Sequence, residues 1–124
     1  MKDILFVSCG AILGANFRFA IYQKFKNLSI KKDFSILLIN TFASFSLGLF
    51  MSILTRIDSS NFSYHLALFV SIGFLGSLST FSTFVSDLFD AILQYKFFSY
   101  LNLFLVSLIS GVIAVSFGIF LGTQ

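Results

Sequence analysis

The sequence predicts an all-α integral membrane protein with four transmembrane helices, the third of them broken near its middle. Of its 124 residues, 57% are apolar, the mean hydropathy is +0.97, and only eight side chains are basic and five acidic. A membrane-spanning helix needs roughly 20 predominantly apolar residues. Four such windows with short polar joins fill residues 1–124 as a single domain.

The composition also excludes several classes of function. The basic residues lie in short joins and form no large positive face, so nucleic acid is not an expected partner. The sequence has one cysteine and one histidine, and it shows neither metal-ligand spacing nor a Ser/His/Asp set nor a phosphate-binding loop. An enzyme is therefore not expected.

The first span, residues 4–22, combines small residues with a polar end. Gly10 and Gly14 form a G-x-x-x-G pair suited to close helix approach. Arg18 follows, and two interpretations of it stay open: its side chain extends to the membrane interface, or it attracts an anion toward the mouth of a pore. The short and weakly basic segment before this span argues against a cleaved signal peptide.

The second and fourth spans each carry polar side chains inside an apolar window. In the second span, residues 34–55, Asn40 needs hydrogen-bond partners, which either a neighbouring helix or a pore would supply. In the fourth span, residues 100–121, Ser107 and Ser110 share a face. They either form a polar track or bond back to backbone carbonyls.

The third span, residues 66–89, contains the stretch that most disfavours a continuous helix. Residues 73–84 read GFLGSLSTFSTF, with two glycines and five hydroxyl side chains. Within a membrane, broken backbone persists only where protein or a water-filled cavity supplies hydrogen bonds, and such breaks occur at ion and substrate sites. A packing face for close helix contact is the alternative.

The distribution of charge predicts a modest preference in orientation. With four spans, both termini and the join at Arg56 lie on one side of the membrane, which carries two basic residues, Lys2 and Arg56. The other side carries five basic residues, an excess of three (five minus two). The positive-inside rule places the more basic side in the cytoplasm, so it favours termini outside. Those five are Lys24, Lys26, Lys31, Lys32 and Lys96.

Three stretches of the chain match motifs of a known family. Residues 10–19, GAILGANFRF, resemble a first-helix pattern G-G-x-x-G-A-x-x-R-Y, and residues 40–48, NTFASFSLG, resemble N-x-x-G-x-F-x-x-G. Residues 73–84 are similar to the more specific G-F-x-G-G-x-T-T-F-S-T-F. In this order, and over essentially the whole chain, they resemble the Fluc/CrcB family of fluoride channels.

The chain departs from the family pattern at a few positions. Ala11 and Ala43 stand where the pattern has glycine, and so does Ser77 in the third motif. If the backbone at Ser77 needs a positive φ, serine adds strain that glycine would avoid.

The resemblance implies a fluoride-selective passive channel of the cell membrane that exports cytoplasmic fluoride and lowers its toxicity. It implies an antiparallel, dual-topology dimer, either a homodimer in opposite orientations or a heterodimer with a paralogous subunit, around a structural sodium ion. Backbone carbonyls of Gly76 and Ser79 would hold the sodium, and Arg18 would lie near the aqueous entrance. The fluoride pore would be lined by Asn40, Phe81, Phe84, Ser82, Thr83, Ser107 and Ser110.

The physical properties of fluoride agree with these side chains. An amide and hydroxyls can donate hydrogen bonds that replace water around a small anion, and a phenylalanine ring has a positive edge. Two other functions stay open. A proton-coupled exporter depends on a carboxylate inside the membrane, but the chain has no glutamate, and Asp87 and Asp90 lie toward the end of their span. In an assembly subunit without transport activity, replacing Phe81 or Asn40 would disturb assembly without selectively altering ion flux.

Overall fold

A computed structural model describes residues 1–28, 32–56, 61–79, 82–94 and 97–124, and every element in these ranges is helical. Two long helices come first, and a segment of four shorter helical pieces then leads to a third long helix. In chain order the elements are α1 (Lys2–Asn27), α2 (Lys32–Leu54), α3 (Asn61–Ala67), a π-helix (Leu68–Leu75), α4 (Gly76–Leu78), α5 (Ser82–Leu93) and α6 (Phe97–Thr123).

Three of these helices are long and apolar enough to cross a membrane. Their spanning segments are Lys2–Asn27, Asp33–Leu54 and Phe98–Thr123, with mean hydropathies of 1.8, 1.9 and 2.5. A shorter apolar helical segment, Phe62–Leu78, lies between the second and third of them. Many large apolar side chains on these helices are exposed, as contact with lipid requires. The all-helical class and the multi-pass membrane character predicted from the sequence are confirmed.

The helices extend beyond the apolar windows that predict the spans. The first predicted span ends at residue 22, whereas α1 continues to Asn27 with Lys24 and Lys26 in its last turn. Basic side chains there stabilise the negative end of the helix dipole. Within the third predicted span, the helix stops at Leu78, and α5 begins at Ser82. Hydropathy marks the part of a helix that contacts hydrocarbon, and the helix itself can continue into the interface.

The first helix pair consists of α1 and the segment formed by α3 and the π-helix, and its two members run in the same direction. Near their beginnings, Nε2 of His65 lies 3.5 Å from Oδ1 of Asp3, and the rings of Phe6 and His65 are 4.8 Å apart between centroids. Further along, the rings of Phe17 and Phe74 are 5.9 Å apart. Residue numbers rise together along both members, which shows that the first and third segments are parallel.

Glycines allow the backbones of this first pair to touch. A Cβ atom added at Gly10 would collide with the carbonyl oxygen of Phe69, and one added at Gly14 would collide with that of Phe74. A Cβ atom at Gly73 would lie 2.9 Å from the Cα atom of Gly10. Small residues permit this approach in membrane proteins, where packing replaces the hydrophobic effect between helices. The G-x-x-x-G pair in α1 is thus a helix contact.

The second pair consists of α2 and α6, which are also parallel. The hydroxyl oxygens of Thr41 and Ser110 are 3.1 Å apart, and the rings of Phe45 and Phe117 are 6.0 Å apart. At the far end, the guanidinium of Arg56 donates a hydrogen bond to the carbonyl oxygen of Thr123 near the end of α6. Each pair therefore joins alternate segments of the chain.

The two pairs meet at a small apolar core beside the end of α4. Leu78, the last residue of α4, has no exposed surface, and Leu75 is also buried. They pack with Ile39 and Ala43 of α2. Partly buried apolar side chains surround this core, namely Ile21, Phe25, Leu47, Val70 and Phe74. The third segment thus stops being helical directly after a buried residue, Leu78.

Two glycines of α6 provide a matched test of backbone contact in the second pair. A Cβ atom at Gly118 would lie 2.8 Å from the backbone nitrogen of Leu49, whereas one at Gly111 would meet only Oγ of Ser44 at 3.5 Å. We expect Gly118→Ala to lower the free energy of unfolding by about 1–3 kcal/mol, the cost of overpacking. Gly111→Ala should leave it unchanged or raise it by up to about 1 kcal/mol, because alanine favours helix. Denaturant unfolding in detergent measures both, and equal effects would contradict close contact at Gly118.

Candidate functional site

A polar groove runs between α2 and α6 and reaches the end of α4. Its volume is about 450 Å³ and it is open along one side. Three elements build its wall: α2, α6 and the residue that follows α4. The lining residues are Asn40, Ser44, Leu47, Ser79, Phe104, Ser107, Leu108, Gly111, Val112 and Val115. An amide and three hydroxyls thus share an otherwise apolar wall.

Helical periodicity explains which residues of α2 and α6 face the groove. On α2, Asn40 is followed at i+4 by Ser44, and such positions lie on one face of a helix. On α6, Phe104, Ser107 and Gly111 are related by spacings of three and four residues. The structure therefore brings together Asn40 and Ser107, which are predicted pore residues, although they are far apart in the sequence.

Ser110, the other predicted pore residue of α6, turns toward α2. Its hydroxyl donates to the carbonyl oxygen of Ser107 at 3.0 Å and lies 3.1 Å from the hydroxyl of Thr41. Ser110 is not among the described residues that line the groove. The sequence left two interpretations for these serines, a polar track or hydrogen bonds back to the backbone. Ser110 bonds back to the backbone, whereas Ser107 lines the groove.

The third segment ends at Ser79, where the backbone changes from helical to extended. Ser79 adopts extended backbone with φ −70° and ψ 148°, and its N–H donates to the carbonyl oxygen of Leu75 at 3.1 Å. The Ser79 hydroxyl donates to the carbonyl oxygen of Gly76 at 3.3 Å, and Gly76 is exposed on this chain. Carbonyl groups at the end of a helix lack helical partners and carry partial negative charge.

These carbonyl groups are the described atoms best suited to a cation. Among the residues that the structure describes, no group of three or more histidine, cysteine or acidic side chains could hold a metal ion. Neutral oxygen atoms are ligands for hard cations. Gly76 is exposed on this chain, so the helix end is accessible. The donor set therefore fits a hard cation bound by backbone oxygen atoms.

Ser77 shows how the chain accommodates a side chain in this stretch. It lies in α4, where the backbone is right-handed helical, so no positive φ arises there. Its hydroxyl donates to the carbonyl oxygen of Phe74 at 3.1 Å, and a Cβ atom at Gly14 would collide with that hydroxyl. Serine at this position is thus packed against α1 without backbone strain.

The remaining predicted site residues lie apart from the groove or outside the description. Arg18 is half-buried on α1, one turn after Gly14, and is not among the described groove residues. Phe81 lies outside the described residues. For Ser82, Thr83 and Phe84 the structure describes helical backbone at the start of α5, but not the side chains. The predicted roles of these residues stay predictions.

A second cavity, of about 690 Å³, lies at the beginning of the first pair. Most of its wall is apolar, formed by Phe6, Phe62, Leu66 and Phe69 together with Lys2 and His65. Because it lacks the concentration of amide and hydroxyl groups found in the groove, it is the weaker candidate for ion passage.

Sequence reasoning missed several residues of the groove. Ser44 lines the groove, and its spacing of four residues from Asn40 is a sequence signal that the two share a surface. Ser79 also lines the groove, a position that the predicted role of its carbonyl group in binding sodium does not include. Phe104 had no distinguishing sequence signal in a chain with 19 phenylalanines.

Comparison with known proteins gives a consistent result over the whole chain. The profile of a family described as "CrcB-like protein, Camphor Resistance (CrcB)" matches residues 5–119. The chain is 60% identical over 124 residues to "Fluoride-specific ion channel FluC 2" of Prochlorococcus marinus strain NATL2A, with all of both chains covered. It is 36% identical over 120 residues to "Fluoride-specific ion channel FluC 1" of Parasynechococcus marenigrum strain WH8102, covering 97% of this chain and 93% of the relative.

Replacing Ser77 with the glycine of the family pattern tests whether serine is accommodated without strain. We expect Ser77→Gly to lower the free energy of unfolding by about 0.5–1 kcal/mol, because glycine in a helix costs conformational entropy. Ser77→Ala is the control, because it keeps Cβ and removes only the bond to Phe74. Thermal unfolding in detergent compares the three proteins. A more stable Ser77→Gly protein would show that this backbone prefers a conformation that serine resists.

Proposed function

Because the chain belongs to the CrcB-like family, we propose that it is a fluoride-selective passive ion channel that exports cytoplasmic fluoride. Relatives named fluoride-specific ion channels, one of them 60% identical over its full length, support the substrate. The observation that carries the proposal is the groove between membrane helices, which Asn40, Ser79 and Ser107 line together. Export lowers the toxicity of fluoride that enters as neutral acid and dissociates inside the cell.

The chemistry of the groove suits a small anion. Fluoride gives up water only where other donors replace it, and the Asn40 amide can donate through Nδ2 while a serine hydroxyl donates through Oγ. No acidic or basic side chain is among the described residues that line the groove. Neutral donors bind an anion without the strong attraction of a fixed cation, which favours permeation over trapping.

The residues after the break complete the proposed pore. Phe81 and Phe84 would direct their positive ring edges toward fluoride, and Ser82 or Thr83 would add hydroxyl donors. Ser107 would contribute to a polar track, with Ser110 behind it. Arg18 would lie near the aqueous entrance, where its charge raises the local concentration of anions.

We place the working channel in a dimer whose subunits insert in opposite orientations in the cell membrane. Gly76 is exposed on this chain, which leaves the helix end accessible to a second subunit. The second subunit is either another copy or a paralogue. Relatives carrying the numbered names FluC 1 and FluC 2 support the second possibility.

A sodium ion is proposed at the centre of this dimer. Backbone carbonyls of Gly76 and Ser79 from each subunit would hold it, in agreement with the oxygen donors at the helix end. The ion supplies positive charge that neutralises the negative ends of the helices facing one another.

Fluoride efflux from liposomes tests the function. Purified protein should release trapped fluoride down its gradient and retain chloride. Asn40→Ala should lower the fluoride rate about tenfold or more, because a hydrogen bond to a charged group contributes about 1.5–3 kcal/mol. Asn102→Ala is the matched control, since Asn102 is exposed on α6 and outside the described groove lining.

Three outcomes of this experiment would contradict the proposal. Protein that releases no fluoride, either alone or together with a paralogue, is not a fluoride channel. An Asn40→Ala protein that assembles poorly, with no selective change in flux per assembled unit, would favour the assembly subunit. A fluoride rate that requires a proton gradient would favour a coupled exporter.

Removal of sodium tests the cation site without measuring flux. We expect the melting temperature in detergent to rise when sodium replaces N-methylglucamine at constant ionic strength. Sodium at 100 times its dissociation constant stabilises a protein that binds it by about 2.7 kcal/mol. Ser79→Ala should retain the effect because the proposed ligand is the carbonyl. Equal melting temperatures in the two cations would contradict the site.

A further inference from the structure

We propose that Thr41 is a positioning residue of the fluoride groove, which acts through Ser110 to hold α6 against α2. The inference rests on the proposed function and adds a residue to it. Thr41 follows Asn40 on α2, and its hydroxyl oxygen lies 3.1 Å from that of Ser110. Ser110 lies one turn from Ser107, the serine of α6 that is among the described groove residues.

The direction of these hydrogen bonds follows from the number of protons. A hydroxyl group has one proton to donate and two lone pairs to accept. Ser110 uses its proton on the carbonyl oxygen of Ser107 at 3.0 Å. Thr41 is therefore the donor in the bond between the two helices. The chain runs from Thr41 through Ser110 to the backbone of Ser107, and successive bonds of this kind strengthen one another.

This hydrogen bond also departs from the usual behaviour of threonine in a helix. A threonine hydroxyl in a helix commonly bonds back to a carbonyl of its own preceding turn. Thr55, the residue that follows α2, bonds in this way, with Oγ1 donating to the carbonyl oxygen of Ser52 at 2.7 Å. Thr41 instead donates to a residue 69 positions later in the chain. Its hydroxyl thus joins two helices at the level of the groove.

The packing of α2 on α6 explains why this part of the pair needs a hydrogen bond. From Val115, at one end of the groove, onward, close backbone contact holds the helices: a Cβ atom at Gly48 would collide with the carbonyl oxygen of Val115, and one at Gly118 would lie 2.8 Å from the nitrogen of Leu49. At Gly111, which lines the groove, the nearest atom to such a Cβ would be Oγ of Ser44, at 3.5 Å. That separation is an ordinary contact and leaves the register of α6 less constrained.

A polar bond can set the register where backbone contact does not. With Thr41 bonded to Ser110, the preceding residue Asn40 and the preceding turn of α6 with Ser107 both face the groove. Without that bond, α6 can rotate or shift, which moves the Ser107 hydroxyl relative to the Asn40 amide. Fluoride needs both donors at close range, whereas larger and more weakly hydrated chloride depends on them less. Loss of the bond should therefore lower selectivity together with rate.

The test combines a conservative variant, a variant on each helix and a double variant. Thr41→Val removes the donor and keeps the shape, Thr41→Ser keeps the hydroxyl, and Ser110→Ala removes the acceptor. Flux of fluoride and of chloride is measured in liposomes for each variant and for the Thr41→Val/Ser110→Ala protein. Thr55→Val and Ser116→Ala are the matched controls, since both hydroxyls bond back to a carbonyl of the preceding turn and lie outside the described groove lining.

We expect Thr41→Val and Ser110→Ala each to lower the fluoride rate by about threefold to about twentyfold, the range that corresponds to measured interhelical hydrogen bonds in membranes. The ratio of fluoride to chloride flux should fall with the rate. Thr41→Ser should stay within about twofold of the unmodified protein, because it keeps the hydroxyl donor. The double variant should be no worse than the more impaired single variant, because both remove one shared bond.

Several outcomes would overturn the inference. These are unchanged flux and selectivity in Thr41→Val, additive losses in the double variant, or a lower rate in Thr41→Val and Thr41→Ser alike with the same selectivity. If Thr41→Val does not fold, Ser110→Ala and Thr41→Ser decide by the same criteria. An unmodified protein without fluoride flux would overturn the proposed function and this inference with it. A conducting unmodified protein with an equally conducting Thr41→Val variant would overturn the inference alone.

Discussion

Direct contact between the backbones of parallel helices is the constraint on which the rest of the structure depends. At Gly14, α1 touches the carbonyl oxygen of Phe74, and at Gly118, α6 touches the backbone of α2. Lipid chains are as apolar as the side chains they meet, so close packing must supply much of the attraction between helices. With each pair held in this way, the buried side chain of Leu78 packs between the pairs at the point where the third segment ends.

The position of that end determines which polar groups can act together. Ser79 leaves the helix in an extended conformation beside the surface where α2 and α6 separate. Its backbone carbonyl is a suitable ligand for a cation. Ser79 also lines a groove whose amide and hydroxyl groups can donate hydrogen bonds to an anion. In the proposed channel, one interruption of a membrane helix would thus serve two kinds of ion with neutral groups. Neutral groups matter here because charged side chains inside a membrane carry a high desolvation cost.

The sequence predicts much of the fold, because hydropathy depends on composition and the break depends on local backbone preferences. It also singles out Asn40 and Ser107 as polar side chains in apolar windows, which need partners, and the structure places both on one groove. Their role in a fluoride pore stays a prediction. The sequence could not show that Ser44 and Ser79 share their groove or that Ser110 turns toward Thr41. Those relations depend on the register between segments far apart in the chain. The π-helical geometry of Leu68–Leu75 has no evident local signal either. The roles of Phe81 and Phe84 stay predictions.

Parallel pairing has a consequence for biogenesis. Neighbours along the chain are not the principal packing partners: α1 pairs with the third segment, and α2 pairs with α6. The contact surface of α1 therefore stays unmatched until the third segment has been made, and that of α2 until the ribosome reaches the last helix. Because bringing distant segments together carries an entropic cost before contacts form, assembly of this small protein is weighted toward the end of synthesis. If translation stopped early, a helix surface that normally packs against another helix would be exposed to lipid.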